Sequence, residues 1–204
     1  MASALQIITP DTVRQIRRVQ ALTVVWMSVE TALSLLAAWR AHSPALVAFG
    51  GDSAIELLSA TVVLWRFRTG TAQPHAEKRA ARLAGALLFA LALYVVALST
   101  VSLLGYSQPK PSLLGIVILA AAALIMPRLA KEKRRLSGIA RSATLNADAT
   151  QSALCAYLSV IALAGLAINA IWRTTWPDPL AALALAPLIV WEGWETVRGK
   201  ACCC

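Results

Sequence analysis

The chain is predicted to be an all-α, polytopic membrane protein with six transmembrane helices and both termini in the cytoplasm. Three observations carry that class. Of its 204 residues 58% are hydrophobic and only 14% charged, where a soluble domain carries about a quarter charged residues. Apolar runs close to or above the roughly 20 residues that cross about 30 Å of hydrocarbon recur along the whole length. Lys and Arg collect in short clusters between those runs, almost all in alternate connections.

The first helix is expected from Leu22 to Trp39, with Ser43-Pro44 as the turn, and the second from Ala45 to Trp65. A polar loop, Arg66 to Arg82, leads to a third helix from Leu83 to Tyr106. Gln108-Pro109-Lys110-Pro111 breaks the chain before a short fourth helix, Ser112 to Pro127. The next loop, with Lys131-Glu132-Lys133-Arg134-Arg135, is the most basic stretch. A fifth helix follows from about Arg141 to Trp172. Thr175-Trp176-Pro177-Asp178-Pro179 precedes a sixth from Leu180 to about Val197, with Asp178 as its expected cap. The whole chain, 1–204, reads as a single transmembrane domain.

Of the 19 Lys and Arg, only Arg40, Lys110 and Arg173 fall on the side of the short turns. The positive-inside rule therefore puts both termini and both long loops in the cytoplasm, and an odd number of spans would spoil the separation. Trp39, Trp65, Tyr106, Trp172, Trp176, Trp191 and Trp194 lie at or near predicted helix ends, where amphipathic rings suit the headgroup layer. The net charge of +9 is thus read as a topology signal. Nucleic acid is excluded as a partner, since no basic domain with interleaved aromatics exists. The first apolar run follows Arg14, Arg17 and Arg18 and continues for a full span, so it reads as a retained helix and not a signal peptide. The lipid bilayer is the expected surrounding and the plasma (inner) membrane the expected location. Adjacent Cys202, Cys203 and Cys204 on the cytoplasmic side are poor disulfide candidates. A soft-metal capture role and an ordinary tail are both open readings of them.

Charged groups inside a bilayer cost at least about 2.5–3.5 kcal/mol on insertion, so each needs a reason. Glu30, Asp52, Glu56 and Asp148 fall inside predicted helices. Asp52 and Glu56 in Gly50-Gly51-Asp52-Ser53-Ala54-Ile55-Glu56 lie four apart, on one helix face, where they can share a cation. In the fifth helix Asp148, Gln151, Ser152 and Cys155 share a face at offsets of three, four and seven. Counting about 1.5 Å per residue from the helix ends brings Cys155 level with Asp52, and Gln151 or Ser152 level with Glu56. Glu30, about 15 Å along the first helix from Gln20, reaches a similar depth. The plain alternatives are packing roles: a hydrogen-bonded acid for Glu30 or Asp148, a small hydrophobe for Cys155, and a neutral amide partner for Gln151, a poor donor to a soft metal. Glu192 and Glu195 in the last turns are expected to face headgroups. His42 and His75 fall in loops, so histidine ligands within the membrane are excluded.

These residues resemble the cation diffusion facilitator, or cation efflux, family of divalent metal transporters. The run Ala45-Leu46-Val47-Ala48-Phe49-Gly50-Gly51-Asp52-Ser53-Ala54-Ile55-Glu56 is similar to the family's second-helix motif, with an acid followed four residues later by another. Ala147-Asp148-Ala149 resembles the start of its fifth-helix motif, and Asp178-Pro179 the start of its sixth helix. The histidine and acid that the family places three and seven residues after the fifth-helix Asp are Gln151 and Cys155 here, so only half of the usual zinc quartet has a counterpart. The family's cytoplasmic C-terminal domain, a common dimerisation and metal-sensing module, is not expected after the sixth helix. The resemblance is compatible with a homodimer.

The expected function is efflux of a divalent metal cation by proton antiport, at a midplane site between the second and fifth helices. Asp52, Glu56 and Cys155 are the candidate ligands, supported by Gln151, Asp148 and Glu30. Mixed oxygen and sulfur donors favour zinc or cadmium as the transported ion, with manganese or iron as the alternatives, and no bound cofactor is expected. Metal and protons compete for the same carboxylates, which supplies the coupling. Two rivals stand beside it: a membrane scaffold or metal sensor without flux, and an exporter of small organic cations. No nucleophile and base stand together, and no phosphate-binding loop appears, so an enzyme is not expected.

Overall fold

The computed structural model describes residues 10–69 and 74–198. Among them lie six α-helices: α1 Pro10–Ala41, α2 Pro44–Thr69, α3 Pro74–Leu103, α4 Leu113–Ala140, α5 Ala143–Trp172 and α6 Pro177–Arg198. Each is long and apolar enough to cross a bilayer. The chain is a multi-pass integral membrane protein. Its burial is that of a protein in lipid: Leu22, Val25, Leu93, Tyr94, Val117 and Ile171 face outward, while Gln20, Glu30, Asp52, Glu56, Lys133 and Asp148 are buried inside.

Helices α1, α2, α5 and α4 pack around a common core. The α3–α6 pair leans against it, both through α2 and α6 also through α5. Phe49, Met27, Leu119, Met126, Leu158 and Leu185 fill that core. Close approach depends on small residues. A Cβ on Gly50 would lie 2.6 Å from Ser34 Oγ, so a glycine there lets α2 press against α1. A Cβ on Gly85 would lie 3.0 Å from the Gly193 carbonyl, and this contact seats the end of α6 on α3.

The helix ends explain most boundaries. Pro10 needs no N–H partner in a first turn, and α1 stops where His42 takes a left-handed conformation (φ 52°), letting Ser43 N–H reach the Ala38 carbonyl at 3.2 Å. Ser43 then caps α2, its Oγ accepting from Leu46 N–H at 3.1 Å. Asp178, expected to cap its own helix, caps α2 instead: Oδ1 accepts from Ala45 N–H at 3.1 Å and Oδ2 from Ser43 Oγ at 2.5 Å. It therefore fastens the α1–α2 turn to the start of α6. Ser112 and Ser142 cap α4 and α5 by accepting from Gly115 N–H and Leu145 N–H.

The largest departure from the sequence-based layout is α4. The helix was expected to end at Pro127, followed by a basic loop, yet it continues to Ala140 and carries Lys131 to Arg135 on helical backbone. Proline removes one backbone bond, but Leu129, Ala130, Lys133, Leu136 and Ser137 beyond it form a buried face. Packing of that face, mainly on α5, outweighs one lost bond. The expected loop from Arg66 to Arg82 likewise contracts, since α2 reaches Thr69 and α3 begins at Pro74. Cys202, Cys203 and Cys204 lie outside the described residues.

Candidate metal site and its buried ion pair

Asp52 and Glu56 are one turn apart on the inner face of α2, and α5 brings Cys155 against them. One ligand atom from each of the three lies within 4.8 Å of the others, and all three side chains are buried. A divalent cation needs this arrangement: several donor atoms converging on one point away from water. Glu56 Oε1 accepts a hydrogen bond from Ser152 Oγ at 2.7 Å, which fixes the carboxylate. Glu56 Oε2 has no hydrogen-bond partner although it is buried, so it is free for a cation.

Two further acids flank the trio. Glu30 of α1 is held from two sides, by Trp26 Nε1 at 2.5 Å and Ser53 Oγ at 2.7 Å, and the Cys155 thiol points to its Oε1 at 3.6 Å. Glu192 of α6, expected among the headgroups, is 5% exposed and faces Asp52 and Gln151. That placement corrects the sequence-based reading. The only sequence clue was an acid three residues from the sixth helix's buried Ile189, on the same face. Gln151 lies beside Glu192, and the hydroxyl that reaches Glu56 from α5 is that of Ser152.

Asp148 has a different partner. Its Oδ2 accepts from Lys133 Nζ at 2.9 Å and from Gln20 Nε2 at 2.7 Å, with side-chain exposures of 0% for the lysine and 1% for the aspartate. Lys133 also donates to Ser152 Oγ at 2.7 Å. A hydrogen-bonded chain therefore runs from Gln20 through Asp148, Lys133 and Ser152 to Glu56. Lys133, assigned by its basic neighbours to a cytoplasmic loop, is instead an internal cation one step removed from the acidic cluster. The helical continuation past Pro127 is what turns it inward, while Lys131, Arg134 and Arg135 remain exposed.

Asp52 and Glu56, with Glu30 and Glu192 buried beside them, gather acids in a low-dielectric interior where full ionisation is costly, so the cluster holds either protons or a metal cation. The arrangement can bind a metal ion, and the model of the cation efflux transmembrane domain family matches residues 21–200. The chain belongs to this family. It is also 23% identical over 179 residues to the manganese efflux system protein MneS of Bacillus subtilis (strain 168), an alignment covering 83% of this chain and 61% of that protein. As a cation efflux family member, the chain carries its buried acids on α1, α2, α5 and α6, a wider set than the second and fifth helices that the sequence motifs mark.

Proposed function

We propose that this protein exports a divalent metal cation by proton antiport, with Asp52, Glu56 and Cys155 as ligands and the terminal side of the bundle in the cytoplasm. The observation that carries the reading is the buried trio with Glu56 Oε2 unpartnered inside it. Membership of the cation efflux family supports the reaction class. Manganese is the cargo favoured by the oxygen-rich lining, with Glu30 and Glu192 beside the trio, and by similarity to a manganese efflux protein. The thiol of Cys155 extends the range to zinc and cadmium.

In this scheme the metal enters from the terminal side, displaces protons from the carboxylates, and leaves on the other side after the helices rock around the site. Ser152 holds Glu56 in its ligating orientation. Lys133, charge-paired with Asp148, reaches Glu56 only through Ser152 and so leaves the ligand positions open.

Uptake of manganese, zinc and cadmium into proteoliposomes under an imposed pH gradient tests the reading, with Asp52→Ala and Glu56→Ala as controls. Gradient-driven flux that both variants abolish is expected. Metal binding without flux in the native chain would instead favour a sensor. Flux indifferent to the pH gradient would remove the antiport.

A further inference from the structure

A groove of about 490 Å³ lies between α4 and α5 on the outside of the bundle, away from the acidic cluster. Its wall is apolar along Ala123, Pro127, Ala153 and Val160, with Tyr157 beside them, and one end is basic, formed by Lys131, Arg134 and Arg135. The depth of that end follows from helix length. Helix α4 has 28 residues, about 42 Å at 1.5 Å per residue, so its last turns overrun the roughly 30 Å hydrocarbon layer. Lys131 lies about 27 Å and Arg135 about 33 Å from the start of the helix, at headgroup level on the terminal side. Arg135 is partly satisfied by Glu132 at 3.1 Å, but among the described residues Lys131 and Arg134 have no ion-pair partner.

We infer that this groove is a binding site for an anionic phospholipid of the leaflet on the terminal side. Its acyl chain lies along the Ala123–Pro127–Ala153–Val160 wall, and its phosphate is held by Lys131 and Arg134. Charge decides between occupants. A two-fold partner copy would present the same basic patch and so add positive charge to the interface instead of neutralising it. A zwitterionic headgroup leaves the excess positive charge unmatched. An anionic headgroup matches it, and basic pockets between transmembrane helices are suited to such lipids.

The test uses the purified full chain, with native mass spectrometry in detergent doped with equal phosphatidylglycerol and phosphatidylcholine. The variants are Lys131→Gln with Arg134→Gln, both at exposed positions, and Ala123→Phe, which fills the apolar wall. Each basic residue near an anionic surface contributes about fivefold in affinity, so the double substitution lowers the phosphatidylglycerol preference by about 25-fold. Ala123→Phe is expected to reduce retention of both lipids. Equal retention of the two lipids by the native chain would overturn the inference. So would a preference unchanged by the double substitution, or a dimer in which Tyr157→Cys crosslinks to its own copy.

Discussion

Removal of Asp148 gives the sharpest test of how the interior is balanced. Lys133 Nζ is fully buried and has two partners, Asp148 at 2.9 Å and Ser152 at 2.7 Å. At an effective dielectric constant near 20, unit charges 2.9 Å apart attract by about 6 kcal/mol. That gain is offset by a desolvation penalty of several kcal/mol for each ion, so the pair as a whole contributes little net stability. Its one-sided loss is different. In Asp148→Ala the ammonium stays buried with only a hydroxyl partner, and the expected cost is about 3–5 kcal/mol. Lys133→Met removes the opposite charge and strands Asp148 with the Gln20 amide, at a similar cost. The double variant, with neither ion, is expected close to the native stability. Unfolding in mixed micelles by titration with dodecyl sulfate, run as a double-mutant cycle, reads the coupling directly. A coupling of about 3 kcal/mol or more is expected. Additive single effects, or a loss below about 1 kcal/mol for Asp148→Ala, would refute the buried-pair account and return Lys133 to an exposed position.

Three further outcomes follow from named contacts. Ser152→Ala removes the hydroxyl that fixes Glu56 and links it to Lys133, and a lost ligand-orienting bond lowers metal affinity by about 10–100-fold, measurable by calorimetry with manganese. Asp178→Ala leaves the Ala45 N–H and the Ser43 hydroxyl without their acceptor and is expected to cost about 1–3 kcal/mol in the same micellar unfolding assay; Asp178→Asn, which keeps one acceptor oxygen, is expected to cost less. Cys155→Ser exchanges sulfur for oxygen without removing a ligand position, so cadmium transport falls much more than manganese transport; an unchanged cadmium-to-manganese ratio would take Cys155 out of the ligand set.

The cation efflux family member's spans and its principal acids were legible because their signals are local. Apolar length marks a crossing, and spacing of four puts Asp52 and Glu56 on one face whatever surrounds the helix. Depth, counted along each helix, brought Cys155 level with Asp52 before any packing was known, and the structure sets them together. Pro127 misled because a helix breaker is also a local signal, whereas the reason α4 continues is the buried face beyond it, packed mainly on α5.

The amino-acid sequence by itself determined the membrane class, the six crossings and the placement of Asp52, Glu56 and Cys155 at comparable depth. Only the tertiary structure decided that Lys133 faces Asp148, that Glu192 joins Asp52, that Glu30 touches the Cys155 thiol and that Asp178 caps α2. Each of these is a pairing between helices distant in sequence. Which face of a helix turns inward depends on the neighbours it meets, and neither hydropathy nor periodicity within one helix specifies them.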